Sequence, residues 1–432
     1  MAKERISLLA SNARIQVPWI KVTIGTYTFG VFSRTCKNEK DSNGNYYTTY
    51  NVQYPNFVRS LGITKINGQI NQYELQLVYP VTQTSDPNFF EKVLSSVSKS
   101  RKIVFSYGDM SMPSYIYKNE EAIITKVKQN FNLQGGGEIT YNISAVSSAA
   151  LSAGGSWTFQ GIKDRPSDVI KRILKDPKYG LRDLFHGMNA SNIDYLIAGD
   201  DREVLISAKK NISAIDYLTY LVSCMIPQGF TTSQYSNTDI YILTMHDDTT
   251  YDNKGFSDLD INGPYFRVER QSHKTNKSDA FEIDLGFGNT GTIVTAFSVL
   301  DDEGYALLYD YNTQLDIDPY VQRIDNKGNL QTVWAPTITS KNDNFITRPE
   351  DITWWTKVTK YPIKASITVQ GLLRPAILMS NVRLNVIYPG GRKHASSGLY
   401  LVTQQKDQID SNGYRTTLSL TKIAGDNSIT TY

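Results

Sequence analysis

Apolar and polar positions alternate through most of the first 150 residues. Residues 72–79 are the clearest case: Tyr73, Leu75, Leu77 and Tyr79 fall on one face, the period-two signature of a strand with one side buried. Residues 19–25, 103–107, 122–130 and 138–146 carry the same signal, and residues 37–45, with Asn43-Gly44, form a polar hairpin tip. One stretch has a helical period. Asp86-Pro87 supplies a cap and a first-turn proline, and Phe89, Phe90, Val93, Leu94 and Val97 make a stripe of about three turns. Lys99, Arg101 and Lys102 then place positive charge at its C-terminus, where the helix dipole favours it. The sequence therefore predicts a β domain with one flanking helix over residues 1–150.

Residues 147–155 (SSAALSAGG) form a small-residue linker, and after them the period changes. Ser167 or Asp164 is placed to cap a helix with Val169, Ile170, Ile173 and Leu174 on one face. Asp176-Pro177 stops it, and Gly180 opens a left-handed turn. A second helix starts at Ser213, with Asp216 three residues on. It buries Ile215, Leu218, Leu221, Val222 and Met225 and ends before Pro227. With a strand at 241–245, residues 151–265 read as a compact α+β piece. From 266 the pattern returns to β, with strands at 281–285 and 292–300. Residues 301–359, rich in Asp, Asn and Gly, break the strand rhythm as an insertion.

The last seventy residues are the most informative. Val382, Leu384, Val386 and Ile387 mark a strand, and a polar loop follows at 389–398. A hairpin then runs through 399–402, turns at Asp410-Ser411-Asn412-Gly413, and returns with Thr417, Leu418, Leu420 and Ile423. Asn-Gly between alternating strands signals a hairpin because Gly accepts the positive φ of the turn.

Composition supports a folded, β-leaning chain. Its 432 residues exceed one ordinary domain, 40% are hydrophobic and 20% charged, and Tyr (28) and Phe (16) favour strands. The two cysteines, Cys36 and Cys224, lie far apart and read as buried free thiols. Residues 6–10 are too short for a spanning helix or a secretory segment, which implies synthesis in a cytoplasm. The net charge of +3 conceals a division: residues 1–150 hold 16 basic and 10 acidic side chains, residues 151–359 hold 20 and 29, and residues 360–432 hold 9 and 3. Like-signed ends around an acidic middle suggest two related outer units and an insert. No Lys/Arg run is dense enough to specify nucleic acid.

Catalytic signals are weak. Of the four histidines, His186, His246, His273 and His394, only His246 has acidic neighbours, Asp247 and Asp248. Adjacent side chains on a strand end point alternate ways, so a solvated strand end outweighs a metal site. Gly286-Phe-Gly288-Asn-Thr-Gly291 matches GxGxxG, but the β-branched run after it is a strand where a dinucleotide loop needs a helix; a flexible hairpin loop is the better reading. Asp301-Asp302 before Glu303-Gly304 looks like a turn. Trp354-Trp355 fits a buried or interface aromatic pair better than a sugar platform. No catalytic, cofactor-binding or metal-binding residue is assigned, and the chain is read as not an enzyme.

Two stretches carry a family resemblance. Residues 371–375 (GLLRP), 398–402 (GLYLV) and 409–418 (IDSNGYRTTL) follow one another as in the closing barrel of bacteriophage baseplate and tail hub proteins. Residues 169–180, ending in Ile173-Leu174-Lys175-Asp176-Pro177-Lys178-Tyr179-Gly180, resemble a segment of phage tail tip attachment proteins. The resemblance implies a mainly β fold with an α+β insert: two tail-tube-like β-barrels, residues 1–150 and 266–432, the second interrupted near 301–359, flanking a middle domain at 151–265. It implies a homotrimeric ring in the virion that joins the tail tube to the central spike or tip and to the peripheral baseplate. The genome would pass through its lumen without specific binding, and no stable membrane insertion is implied. Spike-bearing hubs of this family carry fused lysozyme or peptidase domains, where this sequence has only a short polar tail after residue 424. A virion-associated cell-wall-degrading enzyme and a carbohydrate-binding receptor module are the rival readings. The first calls for two acids lining a cleft, the second for exposed aromatics on a groove.

Overall fold

The structure, a computed structural model, describes residues 5–6, 18–31, 34–40, 46–52, 57–81, 86, 88–95, 102–109, 117–132, 137–228, 240–247, 264–271, 281–286, 294–301, 320–324, 330–334, 363–370, 378, 381–388, 391–394 and 396–425. The chain is mainly β with a small helical part. Its first part holds β1 (Arg5–Ile6), β2 (Pro18–Ile24), β3 (Tyr27–Val31), β4 (Arg34–Lys40), β5 (Tyr46–Val52), β6 (Val58–Ile66), β7 (Gln72–Pro80), α1 (Phe89–Ser95), β8 (Lys102–Asp109), β9 (Tyr117–Asn132) and β10 (Glu138–Ser147). Next come β11 (Trp157–Phe159), β12 (Ile162–Asp164), α2 (Pro166–Lys175), α3 (Leu181–Leu184), α4 (Ile193–Leu196), β13 (Val204–Ile206), β14 (Lys209–Ile212), α5 (Ala214–Ser223), β15 (Ile240–His246) and β16 (Tyr265–Gln271). The last part holds β17 (Phe281–Gly286), β18 (Val294–Asp301), β19 (Tyr320–Ile324), β20 (Leu330–Trp334), β21 (Ile363–Gln370), β22 (Asn381–Ile387), β23 (Gly398–Asp410) and β24 (Gly413–Gly425).

Fourteen of these strands share one sheet. In the first part β6 pairs β7, β7 pairs β10, and the order continues through β9, β8, β2 and β3. The strand alternation holds as expected: Tyr73, Leu75, Leu77 and Tyr79 of β7 are all buried. In the last part β18 pairs β21, β21 pairs β24, and β24 pairs β23 along nearly its whole length. The two parts meet on β23. Its residues 398–401 pair β22 while its residues 404–409 pair β6, so one strand belongs to both halves of the sheet.

Three hydrophobic cores follow from this layout. One packs β2, β3 and β6 to β10 around α1, and takes in Ile409 and Tyr414 from the tip of the β23–β24 hairpin. A second packs α2 to α5 against β15 and β16, from Ala149 to Val268. The third lies among β17, β18 and β21 to β24. Each fully buried aliphatic or aromatic side chain contributes about 1.5–3 kcal/mol relative to exposure. The hairpin tip thus anchors the C-terminal part in the N-terminal core.

Several local expectations change. Residues 147–155, read as a small-residue linker, carry local structure: Ser148–Ala153 form a 3-10 helix capped by the Ser147 hydroxyl, and Ala149 is buried in the middle core. Neither Ser167 nor Asp164 caps α2. Pro166 begins the helix, and Ser167 inside its first turn gives its backbone N–H and its hydroxyl to Asp201, at 3.0 and 2.5 Å. Asp164 instead accepts the Arg165 N–H at 2.8 Å and pairs with Arg172. Among the described residues β17 and β18, expected to form a hairpin, do not pair with each other. β17 pairs β1 and β22, both in parallel, whereas β18 pairs β21. β19 and β20 pair with each other inside the stretch expected to break the strand rhythm. Asn43-Gly44, Val97, Gly288 to Gly291, Asp302, Asp248, His273 and Trp354-Trp355 lie outside the described residues.

Candidate functional site: a buried polar joint

The period of the strands that build the site sets charged residues facing inward. On β6 the buried positions are Leu61, Ile63 and then Lys65; on β9 Glu120 is in phase with Ala122 and Ile124; on β23 Gln405 and Asp407 are in phase with Ile409. Asp247 follows directly on β15. Lys65 is 6% exposed, Asp247 1%, and Glu120 and Asp407 0%, so one cation and three carboxylates share the interior. Removing such charges from water costs several kcal/mol each unless geometry and hydrogen bonds compensate.

The compensation is extensive. The Lys65 ammonium donates to Glu120 and sits 4.1 Å from the centre of the Tyr117 ring. Tyr107 donates to Glu120 at 3.3 Å and stacks on Tyr117, with 4.7 Å between ring centres. Asp247 accepts from Asn71 Nδ2 at 2.6 Å and from the Ser147 hydroxyl, and its Oδ2 lies 3.0 Å from the Tyr73 hydroxyl oxygen. The same Tyr73 hydroxyl lies 2.9 Å from Glu120, and its ring is fixed by stacking on Phe105 at 4.9 Å. Asp407 accepts from the Thr416 hydroxyl and from Gln405 Nε2, both at 2.7 Å. Gln405 Nε2 also donates to the Tyr117 hydroxyl at 3.0 Å.

Backbone bonds converge on the same place. In the β6–β7 turn, Asn67 donates to the Thr403 carbonyl of β23 at 3.0 Å, and Gly68 to the Leu243 carbonyl of β15 at 2.9 Å. Gly68 takes φ +68°, a left-handed backbone that glycine adopts without a Cβ penalty and that lets this turn close. The Ser147 N–H donates to the Asn71 carbonyl at 2.9 Å. Strands on all three cores are therefore tied at one point.

Burial dominates the electrostatics. It pushes the Asp247 carboxyl up to about 6, with the Glu120 charge adding to it and the Ser147, Asn71 and Lys65 contacts opposing it. Burial likewise pushes Asp407 up to about 6 against Thr416, Lys65 and Gln405. Tyr73 is held well above the usual phenol range by burial and by the negative charge of Asp247 and Glu120.

The sequence reading of residues 246–248 as a solvated strand end is overturned where it can be seen. His246 is buried, stacked on Tyr265 at 4.7 Å between ring centres, with Nε2 2.9 Å from the Thr244 hydroxyl; Asp247 is deeper still. The partners of Asp247, which are Asn71, Tyr73 and Ser147, come from more than 90 residues away and leave no local trace. Lys65 and Glu120 were missed as well, although their phase with Leu61 and Ile63 and with Ala122 and Ile124 was a usable signal; Gln405 and Asp407 lie in a wholly polar run and show little. Of the remaining histidines, His186 is exposed, and Nδ1 of His394 lies 2.6 Å from the Ser396 hydroxyl. Cys224 is buried; the side chain of Cys36 lies outside what is described. Among the described residues no group of three or more His, Cys, Asp or Glu is placed to hold a metal, and no helix is long and apolar enough to cross a membrane.

No protein-family model and no curated protein sequence matches the chain. Solved structures do. The chain is similar in fold to a tail protein from Neisseria meningitidis MC58, at 10% identity over 94% of this chain and 96% of that one, with a TM-score of 0.46. It is also similar to the 43 kDa tail protein of prophage MuSo2 from Shewanella oneidensis, at 12% identity over 95% and 100% of the two chains, with a TM-score of 0.47. A third is an Escherichia coli component of the type VI secretion system, itself described as similar to bacteriophage T4 tail proteins. It shares 11% identity over 86% of this chain and 75% of that one, with a TM-score of 0.42.

Proposed function

We propose that the chain is a structural protein of a bacteriophage tail, a hub ring that connects the tail tube to the central spike or tip and to the peripheral baseplate. The observation that carries this is the β23–β24 hairpin. The residues that resemble the closing barrel of hub proteins, 398–402 and 409–418, are the ones that thread both halves of the sheet, with Ile409 and Tyr414 in the N-terminal core and Tyr400, Leu418 and Leu420 in the C-terminal one. A protein that transmits load between a tube and a tip needs its parts locked to one another, and a continuous backbone ladder with a buried joint supplies that. In this reading residues 1–150 and 266–432 act as two tube-like barrels around the middle domain at 151–265, and three copies close a ring. The partners are the tube, spike or tip and baseplate proteins, the setting is the virion, and the chain performs no catalysis.

The test is location. A peptide tag on this chain, detected by gold label on intact particles, marks a single point at the distal end of the tail tube. Label spread along the tube, or on fibres away from the axis, contradicts the proposal and favours a tube subunit or a receptor module.

A further inference from the structure

We propose that the buried cluster is a proton-holding joint: the N-terminal sheet, the segment at Asp247 and the C-terminal hairpin are clamped more tightly in mildly acidic solution than at neutral pH. The geometry asks for a proton. Tyr73 has one hydroxyl hydrogen, yet its oxygen lies 2.9 Å from Glu120 and 3.0 Å from Asp247. Two ionised carboxylates cannot both accept that hydrogen, and the second contact would then set one bare acceptor against another. With Asp247 protonated, its own hydroxyl donates to the Tyr73 oxygen while Tyr73 donates to Glu120, and both contacts become hydrogen bonds. Lys65, paired with Glu120, is the cation facing these groups from β6.

The charged and titratable groups packed around the joint are Lys65 from β6, Tyr73 from β7, Tyr107 from β8, Tyr117 and Glu120 from β9, His246 and Asp247 at β15, Asp407 from β23 and Tyr414 from β24. Burial pushes the Asp247 and Asp407 carboxyls up to about 6 from an ordinary value of 3.8. A carboxyl whose value is raised by burial binds its proton more tightly in the closed form. Closure therefore strengthens as pH falls through 6, and the gain is complete below about 4. Where both groups titrate, the opening constant changes by up to about a hundredfold per pH unit.

The experiment is amide hydrogen exchange at residues 404–409, where β23 pairs β6, read as opening constants after correction for the intrinsic rate at each pH. In the wild-type chain the opening constant falls at least tenfold from pH 7 to pH 5. In Asp247→Asn/Asp407→Asn it changes less than threefold. A wild-type constant that is flat or rises in acid overturns the proposal, as does a double variant that keeps the full dependence. If the double variant does not fold, carboxyl carbon titration by NMR decides on the wild-type chain. Asp247 or Asp407 titrating near 6 supports the joint, and both titrating below 4.5 refutes it.

Discussion

Tyr117 and Gln405 lie 288 residues apart in sequence and meet in the interior, with Gln405 Nε2 donating to the Tyr117 hydroxyl at 3.0 Å. The same amide holds Asp407 at 2.7 Å. Replacing Gln405 with Ala leaves a buried carboxyl and a buried phenol each short of a donor, at a cost of about 2 kcal/mol. The urea midpoint drops accordingly with an unchanged slope. A loss below about 0.5 kcal/mol, the range of ordinary surface substitutions, would count against the contact.

Helix α2 depends on a carboxylate that is remote in sequence. Asp201 receives two bonds from Ser167 and supplies what a local cap would otherwise give. Asp201→Ala is expected to destabilise the chain by about 1–2 kcal/mol, and Asp201→Asn, which keeps an acceptor oxygen, by less. Equal losses in the two variants, measured by thermal unfolding, would show that the bond to Ser167 is not what matters.

Gly413 sets the hairpin turn. It takes φ +106° and pairs with Asp410, whose side chain accepts the Asn412 N–H at 2.8 Å. Among the described residues only Asn119 and Asn211 have positive φ without being glycine, so Ser411 and Asn412 keep ordinary φ and Gly413 alone carries the left-handed step. Gly413→Val costs about 1–3 kcal/mol through backbone strain, whereas Ser411→Ala, at an exposed turn position, stays within about 0.5 kcal/mol. Melting temperatures that fall equally in both variants would contradict the turn geometry.

Much of this was legible in the chain, and the exceptions have a common physical origin. The inward set of β7, the left-handed Gly180 at φ +64°, the Ser213 cap on α5 and the hairpin turn are all local, set by side-chain period and backbone preference within a few residues. The Asp201 cap is not local, since it comes 34 residues after the serine it holds. The joint is further from view. In residues 404–408 (QQKDQ) alternation of polar side chains resembles a solvated strand, and only Lys65 and Tyr117 on another part of the sheet convert Gln405 and Asp407 into interior residues. The pairing of β17 with β22 rather than β18 is a topological choice, and strand propensity does not encode it.

Catalysis offers an independent check on the structural reading. Purified chain incubated with peptidoglycan or with model glycosides leaves both intact over a long incubation, as judged by product chromatography. Turnover that disappears when a single Asp or Glu is replaced would move the protein to the cell-wall-degrading class.

The most direct measurement is an asymmetric-capable reconstruction of the assembled tail by cryo-electron microscopy, in which this chain is counted at the tube's end. Tail tubes of the resembling family are six-fold, and under the proposal that residues 1–150 and 266–432 are each tube-like, three copies would present six such units in a closed ring. The expected result is three copies, with the β2–β10 unit and the β17–β24 unit superposable and related by about sixty degrees around the axis, as six units in a closed ring require. Six copies per ring, or a C-terminal unit that does not superpose on the N-terminal one, would contradict the hub assignment.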